Sequence, residues 1–195
     1  TNPLDIIVMA LQKYSDLPTN KVVGMAGILD TSRFKYFLSQ ELNVPVKSIN
    51  TLVLGGHGDT MVPIPDRTTV NGKPLKELIK TDKLELIINS TRKGGAEIIK
   101  FLEKGPAFYA PAASGVEMAE SYIKDLKKTL PCAAYLNGEY GIKNLYAGVP
   151  VVIGKTGVEK VVEISLTDDE KKQFKISTQA VKKLYESAKK IDSSL

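Results

Sequence analysis

Cys132-Ala133-Ala134-Tyr135-Leu136, the pair Asn137-Gly138 and Tyr146-Ala147-Gly148-Val149-Pro150-Val151-Val152-Ile153-Gly154 decide the fold. Both longer runs are apolar and carry strand-forming residues, and Asn-Gly between such runs is a turn signal. Gly157 separates the second run from a third, Val158 to Leu166. Successive strands joined by short turns pair antiparallel, so this region predicts a meander of two or three hairpins. A helix follows at once. Thr167 and Glu170 form a capping box, Asp168 and Asp169 fill the first turn, and Phe174, Val181, Leu184, Ala188 and Ile191 trace one face.

Upstream the pattern is mostly helical. Leu4, Ile7, Val8 and Leu11 set a first helix over about Pro3 to Tyr14, with the proline at its first turn. Lys21 to Met25 reads as a strand. Leu29 to Leu42 is a second helix, ended by Asn43 and Pro45. Thr51 to Leu54 is a short buried strand, Val62 to Pro65 an extended exit too proline-rich for a central strand, and Thr68 to Val70 a short strand before the Asn71-Gly72 turn. Pro74 to Lys80 predicts a short helix. Thr81 starts another, interrupted at Gly94-Gly95 and ended by Gly105-Pro106, and Ala107 to Leu130 becomes helical after a bend at Pro111. Helices, then strands, then a helix, with no βαβ alternation, argue α+β, with helices packed on an antiparallel sheet.

The length of 195 residues suits one domain, and 43% apolar with 25% charged residues is an ordinary globular composition. The formal charge of +5 comes largely from Lys-Lys pairs on helices with acids nearby, which read as solvated faces; no nucleic-acid partner is expected. No apolar run approaches the roughly 18 residues of a membrane span, so no membrane partner is expected either. One cysteine, Cys132, fits a reducing compartment, and a cytoplasmic location is expected. The chain opens inside a helical pattern with no methionine, as a fragment of a longer chain would.

One histidine stands in the whole sequence, at Leu54-Gly55-Gly56-His57-Gly58-Asp59-Thr60. Its ordinary pKa lies nearest neutrality among the side chains, and the glycines let a ligand approach the main chain. A satisfied loop histidine is the plain alternative. Asp30 and Arg33 share a face at the start of the second helix. Such a pair is commonly a surface ion pair of little energetic weight. Joined to His57, it makes an acid/base site for a small acid: the carboxylate fixes the imidazole's tautomer and favours its charged form, and the guanidinium clamps a carboxylate. One histidine and one cysteine cannot build a zinc site, so no metal is expected. The sequence holds no Gly-x-Ser-x-Gly elbow, and Cys132 belongs to an apolar strand pattern. It has neither a Gly-x-x-x-x-Gly-Lys loop nor a Gly-x-Gly-x-x-Gly fingerprint, so nothing in it cradles a phosphate.

Thr1-Asn2-Pro3-Leu4-Asp5, Gly27-Ile28-Leu29-Asp30-Thr31-Ser32-Arg33-Phe34 and Gly55-Gly56-His57-Gly58-Asp59-Thr60-Met61-Val62-Pro63 occur in this order. Together they resemble the NAD-dependent lactate/malate dehydrogenase family, and the whole chain resembles its carboxy-terminal, substrate-binding half. The resemblance implies that His57 donates and accepts the proton, that Asp30 orients it, that Arg33 binds the substrate carboxylate, and that Asn2 bonds near the reacting oxygen and the nicotinamide. It implies NAD as cofactor, held mostly by a nucleotide-binding Rossmann domain absent from this chain. Residues 1–195 then form a substrate-binding, catalytic C-terminal domain, expected to be inactive alone. Gly24-Met25-Ala26-Gly27 and Tyr109-Ala110-Pro111-Ala112-Ala113-Ser114 resemble the malate branch. Ala107 stands where the lactate branch has a threonine, leaving room for a second carboxylate, so a small dicarboxylate substrate is implied. A lactate dehydrogenase half and a non-catalytic oligomerisation module are the alternatives. The family resemblance also implies a homo-oligomer, dimer or tetramer.

Overall fold

A computed structural model describes residues 2–195; Thr1, the first residue of the Thr1–Asp5 motif, lies outside the described residues. In chain order the described residues form α1 (Leu4–Tyr14), α2 (Gly27–Leu42), β1 (Ile49–Asn50), β2 (Val53–Leu54), β3 (Val62–Pro63), β4 (Thr69–Val70) and β5 (Lys73–Pro74). These are followed by α3 (Thr81–Leu102), α4 (Tyr109–Ile123), β6 (Lys128–Asn137), β7 (Lys143–Gly154), β8 (Gly157–Val161) and α5 (Asp168–Ile191). The strands make three antiparallel sheets among the described residues, β1-β4-β5, β2-β3 and β6-β7-β8, with helices packed around them. The α+β expectation matches this architecture.

The β6–β7 ribbon is the spine. Leu130, Cys132, Ala134 and Leu136 face Val151, Val149, Ala147 and Leu145 in register, and all eight are buried. The residues between them, Pro131, Ala133, Tyr146, Gly148 and Pro150, are buried as well, so the middle of the ribbon is covered on both faces. Pro131 lies opposite Pro150. The Pro150 carbonyl accepts from Val162 N–H at 2.8 Å, on the side away from β6, so its ring removes no bond from the β6–β7 ladder. Ile28 of α2, Met118 of α4 and Phe174 of α5 pack on this ribbon. A second core joins Phe34 and Leu38 of α2 to Leu84 and Ile87 of α3, and a third joins Ile6, Val8 and Met9 of α1 to Tyr146 and Val181. The Cys132 thiol sits in the first core with no exposure; burial, with some help from Glu117's charge, pushes its pKa up.

Several local expectations are corrected. Lys21–Met25 is not a strand: a 3-10 turn covers Thr19–Lys21, and only Gly24 pairs, bridging Ala133 at the β6 edge. A side chain there would strike Val8 and Ala133, so contact with two neighbours sets this segment rather than its own propensity. Val62–Pro63 does pair, with β2, because a two-stranded ribbon leaves a side on which proline's missing donor is not needed. Pro74 belongs to β5, and the short helix after it is a 3-10 turn at Leu75–Glu77. α3 runs unbroken through Gly94-Gly95, since glycine costs only about 1 kcal/mol in a helix and tertiary packing overrides it. α4 ends at Ile123, not Leu130, and Pro111 sits in its first turn, where it removes no helical bond. β6 begins at Lys128, ahead of the expected Cys132, and β8 stops at Val161 rather than Leu166.

The turn after β2 is tied to the spine by main chain alone. Gly55 N–H donates to Gly148 O at 2.8 Å, and Gly148 N–H returns a bond to Gly55 O at 3.0 Å. A Cβ at Gly148 would lie 2.4 Å from Gly55 O. Gly148→Ala is expected to destabilise the protein by roughly 1–3 kcal/mol. Gly115→Ala in α4, where a methyl group meets nothing within 4 Å, is expected to stabilise by about 0.5–1 kcal/mol. Urea denaturation of the two variants checks the contrast.

Candidate active site

Four elements converge on the loop Gly55–Thr60. Glycine is required here by contact and by conformation. Gly55 has φ +84°, and a Cβ on Gly56 would fall 2.6 Å from Val181 Cγ2. The loop's main-chain donors are met by side chains from opposite ends of the sequence. Gly56 N–H donates to Ser177 Oγ of α5 at 2.9 Å, and His57 N–H donates to Asp5 Oδ2 of α1 at 2.9 Å. The Ser177 hydroxyl donates in turn to Thr60 Oγ1 at 3.3 Å.

α2 supplies the charges. Asp30 sits in its first turn, where the helix's exposed N–H groups favour a carboxylate, and its side chain is buried. Its Oδ2 is 2.8 Å from His57 Nδ1. With Asp30 ionised, Nδ1 carries the proton and Nε2 is left to exchange protons with a ligand. Burial lowers the His57 pKa. The hydrogen bond and charge of Asp30, with the charge of Asp5, outweigh that effect and the opposing charge of Arg33, so the net shift is upward.

Arg33 lies 3.5 Å from Asp30 Oδ1, and its Nε is buried without a hydrogen-bond partner among the described residues. Burial lowers its pKa against the pull of Asp30. The guanidinium rests against Gly94 and Gly95 of α3. A Cβ at Gly95 would come within 3.3 Å of an Arg33 terminal nitrogen, and one at Gly94 within 3.4 Å of its Cδ. The glycine pair that looked like a helix break is a slot for the arginine. One turn earlier on α3, Arg92 donates to Met61 O through Nε at 3.3 Å and a terminal nitrogen at 3.2 Å, fixing the far end of the histidine loop.

His57, Asp30 and Arg33 are therefore brought together as the sequence reading expected. Asn2 is exposed just before α1, the helix whose Asp5 holds His57, and makes no hydrogen bond to those three. Sequence reasoning missed Asp5, Ser177 and the Gly94-Gly95 slot. A signal for Asp5 did exist: it is a charged residue among Leu4, Ile6, Val8 and Met9 on a face that buries. Among the described residues no group of three or more His, Cys, Asp or Glu side chains is arranged to hold a metal ion.

A buried imidazole–carboxylate pair beside a guanidinium with an unmet donor can exchange a proton with a ligand and bind a carboxylate. The sequence profile of the lactate/malate dehydrogenase α/β C-terminal domain matches residues 28–191, and the chain belongs to that family. It is 66% identical to the malate dehydrogenase of Pelagibacter ubique (strain HTCC1062), over 100% of this chain and 62% of that protein. The crystal structure of Cryptosporidium parvum malate dehydrogenase superposes with TM-score 0.95 at 45% identity, covering 97% of this chain and 62% of the other. The lactate dehydrogenase of Cryptosporidium parvum, solved with lactic acid and nicotinamide adenine dinucleotide, superposes with TM-score 0.93 at 43% identity, covering 96% and 61%. The chain thus spans about 62% of the length of these relatives.

Asp30→Asn is expected to lower the His57 pKa by roughly one to three pH units, read from the imidazole resonance by NMR titration. The linkage has a definite sign. The raised pKa of His57 contributes stability that is fully present below the unfolded value near 6.5 and is lost as pH rises through the folded one. Asp30→Asn removes that loss of stability on the alkaline side.

Proposed function

We propose that this chain is the substrate-binding, catalytic C-terminal half of a malate dehydrogenase, acting with a nucleotide-binding half to interconvert malate and oxaloacetate. The observation that carries the reading is the 2.8 Å contact of His57 Nδ1 with buried Asp30, set beside the unpartnered Nε of Arg33. Arg33 takes the substrate carboxylate next to the reacting carbon, since its planar fork matches a carboxylate with two parallel bonds. His57 Nε2 accepts the hydroxyl proton during malate oxidation and returns it during oxaloacetate reduction. Asp30 holds the ring's tautomer and stabilises the imidazolium. Asn2, exposed at the entry to α1, takes the role of hydrogen-bonding near the reacting oxygen and the nicotinamide, a role that rests on the family resemblance. NAD is supported by the family, and the sequence has no glycine-rich turn for its phosphates, which fall to the other half. Bound NAD supplies the hydride acceptor.

The preference for a dicarboxylate rests on Ala107, a half-buried small residue in the connection between α3 and α4. A lactate dehydrogenase half is the second reading, supported by the similar fit to the Cryptosporidium parvum lactate dehydrogenase. A homo-oligomer, dimer or tetramer, suits exposed apolar side chains such as Phe101, Val116 and Ile123, which a partner copy or the nucleotide-binding half would cover. A cytoplasmic setting suits the single buried free thiol. No helix among the described residues is long and apolar enough to cross a membrane.

The test is steady-state kinetics of the complete protein on oxaloacetate and on pyruvate. Oxaloacetate is expected to have the higher kcat/KM; preference for pyruvate selects the second reading. His57→Asn is expected to lose about 10²–10⁴-fold in kcat, and near-wild-type turnover would remove the catalytic assignment. The 195-residue chain by itself is expected to show no malate-dependent NAD reduction in a 340 nm assay.

A further inference from the structure

The His57 ring has one carboxylate partner in the expected scheme, Asp30. The structure contains a second buried carboxylate at the same residue. Asp5 enters from α1, 52 positions away in sequence, and its Oδ2 accepts the His57 main-chain N–H at 2.9 Å. The same oxygen lies 3.4 Å from where a Cβ on Gly56 would stand, so it is wedged against the loop. Its other oxygen, Oδ1, is buried with no hydrogen-bond partner among the described residues. Buried carboxylate oxygens without a partner also occur at Asp30 and Glu170, but of these three residues only Asp5 and Asp30 bond to His57. Asp5 thus keeps an unmatched oxygen on a carboxylate bound to the residue that carries the imidazole.

Building on the proposed role of His57, we infer that Asp5 is a positioning residue for it, fixing the histidine loop through the main chain and adding a second negative charge that favours the imidazolium. The charged groups facing the ring from α2 are Asp30 and Arg33, and from α1 Asp5 alone. α5 presents the uncharged Ser177 and Val181 to the loop, α3 directs Arg92 to the Met61 carbonyl, and Asp59 on the loop itself is exposed. Asp30 and Asp5 raise the imidazole pKa and Arg33 lowers it. Burial pushes the Asp5 carboxyl up to about 6, and the His57 N–H bond and ring charge pull it back. With the His57 pKa raised above its ordinary 6.5 and that of Asp5 at about 6, Asp5 loses its proton before His57 does. Its charge is kept at a cost to folding, as charge at a working site commonly is.

Asp5→Asn separates the two contributions, because the amide oxygen still accepts the His57 N–H while the charge is gone. The test uses the complete protein, with the His57 imidazole resonance assigned by its loss in His57→Gln. Asp5→Asn is expected to lower the His57 pKa by at least half a pH unit. In oxaloacetate reduction, which needs the imidazolium, the alkaline fall of kcat/KM should move to lower pH by the same interval. A His57 titration identical to that of the unmodified protein overturns the inference. The NMR reading needs no turnover, so an absence of malate dehydrogenase activity sinks the proposed function without touching this result. In the unmodified protein, carboxyl 13C titration provides a reading that does not depend on the variant folding. Asp5 is expected to lose its proton at lower pH than the imidazole does, and an Asp5 carboxyl that stays protonated until His57 has lost its proton overturns the inference.

Discussion

Two main-chain hydrogen bonds between Gly55 and Gly148 hold this molecule's parts in relation. They fasten the loop that carries His57 to β7, the central strand of the longest sheet. Neither residue tolerates a side chain there, so the distance between loop and sheet is set by backbone contact and not by adjustable packing. α1 and α5 then close on the loop from either side through Asp5 and Ser177, and α2 closes from below through Asp30. The site depends on the β6–β7 ribbon being formed, since the loop that carries the imidazole is bonded to it at Gly148.

The charges gathered there balance. Two buried carboxylates, Asp5 and Asp30, face one guanidinium and one imidazole that titrates. With the imidazole protonated, the cluster is neutral; with it neutral, the cluster carries one excess negative charge. Burial magnifies that difference because solvent screens it weakly. An anionic ligand brought to Arg33 raises the demand for the imidazolium further, so binding of the acid and protonation of the base are coupled through the same few side chains.

The candidate site was legible because its residues are chemically distinctive. A lone histidine between glycines, and an aspartate and arginine three apart at a helix start, can be read without knowing the fold. What supports them was not legible, because each contact joins segments far apart. Ser177 meets Gly56 across 121 positions, and Asp5 meets His57 across 52. Gly94-Gly95 misled for a related reason. In isolation the pair weakens a helix; in the folded chain the missing side chains admit the Arg33 head group, and the helix continues. Lys21–Met25 has the composition of a strand, but the β6 edge offers it a partner only at Gly24. Local pattern gave the α+β order correctly and failed where one element's shape answers to another's side chain.

Cys132 gives the ribbon a chemical clock. It is the only thiol in the sequence, it lies on β6 facing Val149 of β7, and it has no exposure. Burial holds it in the unreactive protonated form. An alkylating reagent reaches it only when the helices packed on that face of the ribbon, α2 through Ile28 and α4 through Met118, open, so the rate of labelling reports how often that core opens. Because α2 also carries Asp30, the partner of His57, an opening that lifts α2 also disturbs the site. The lifetime of the thiol in the presence of reagent therefore bears on the lifetime of the assembled acid/base centre as well.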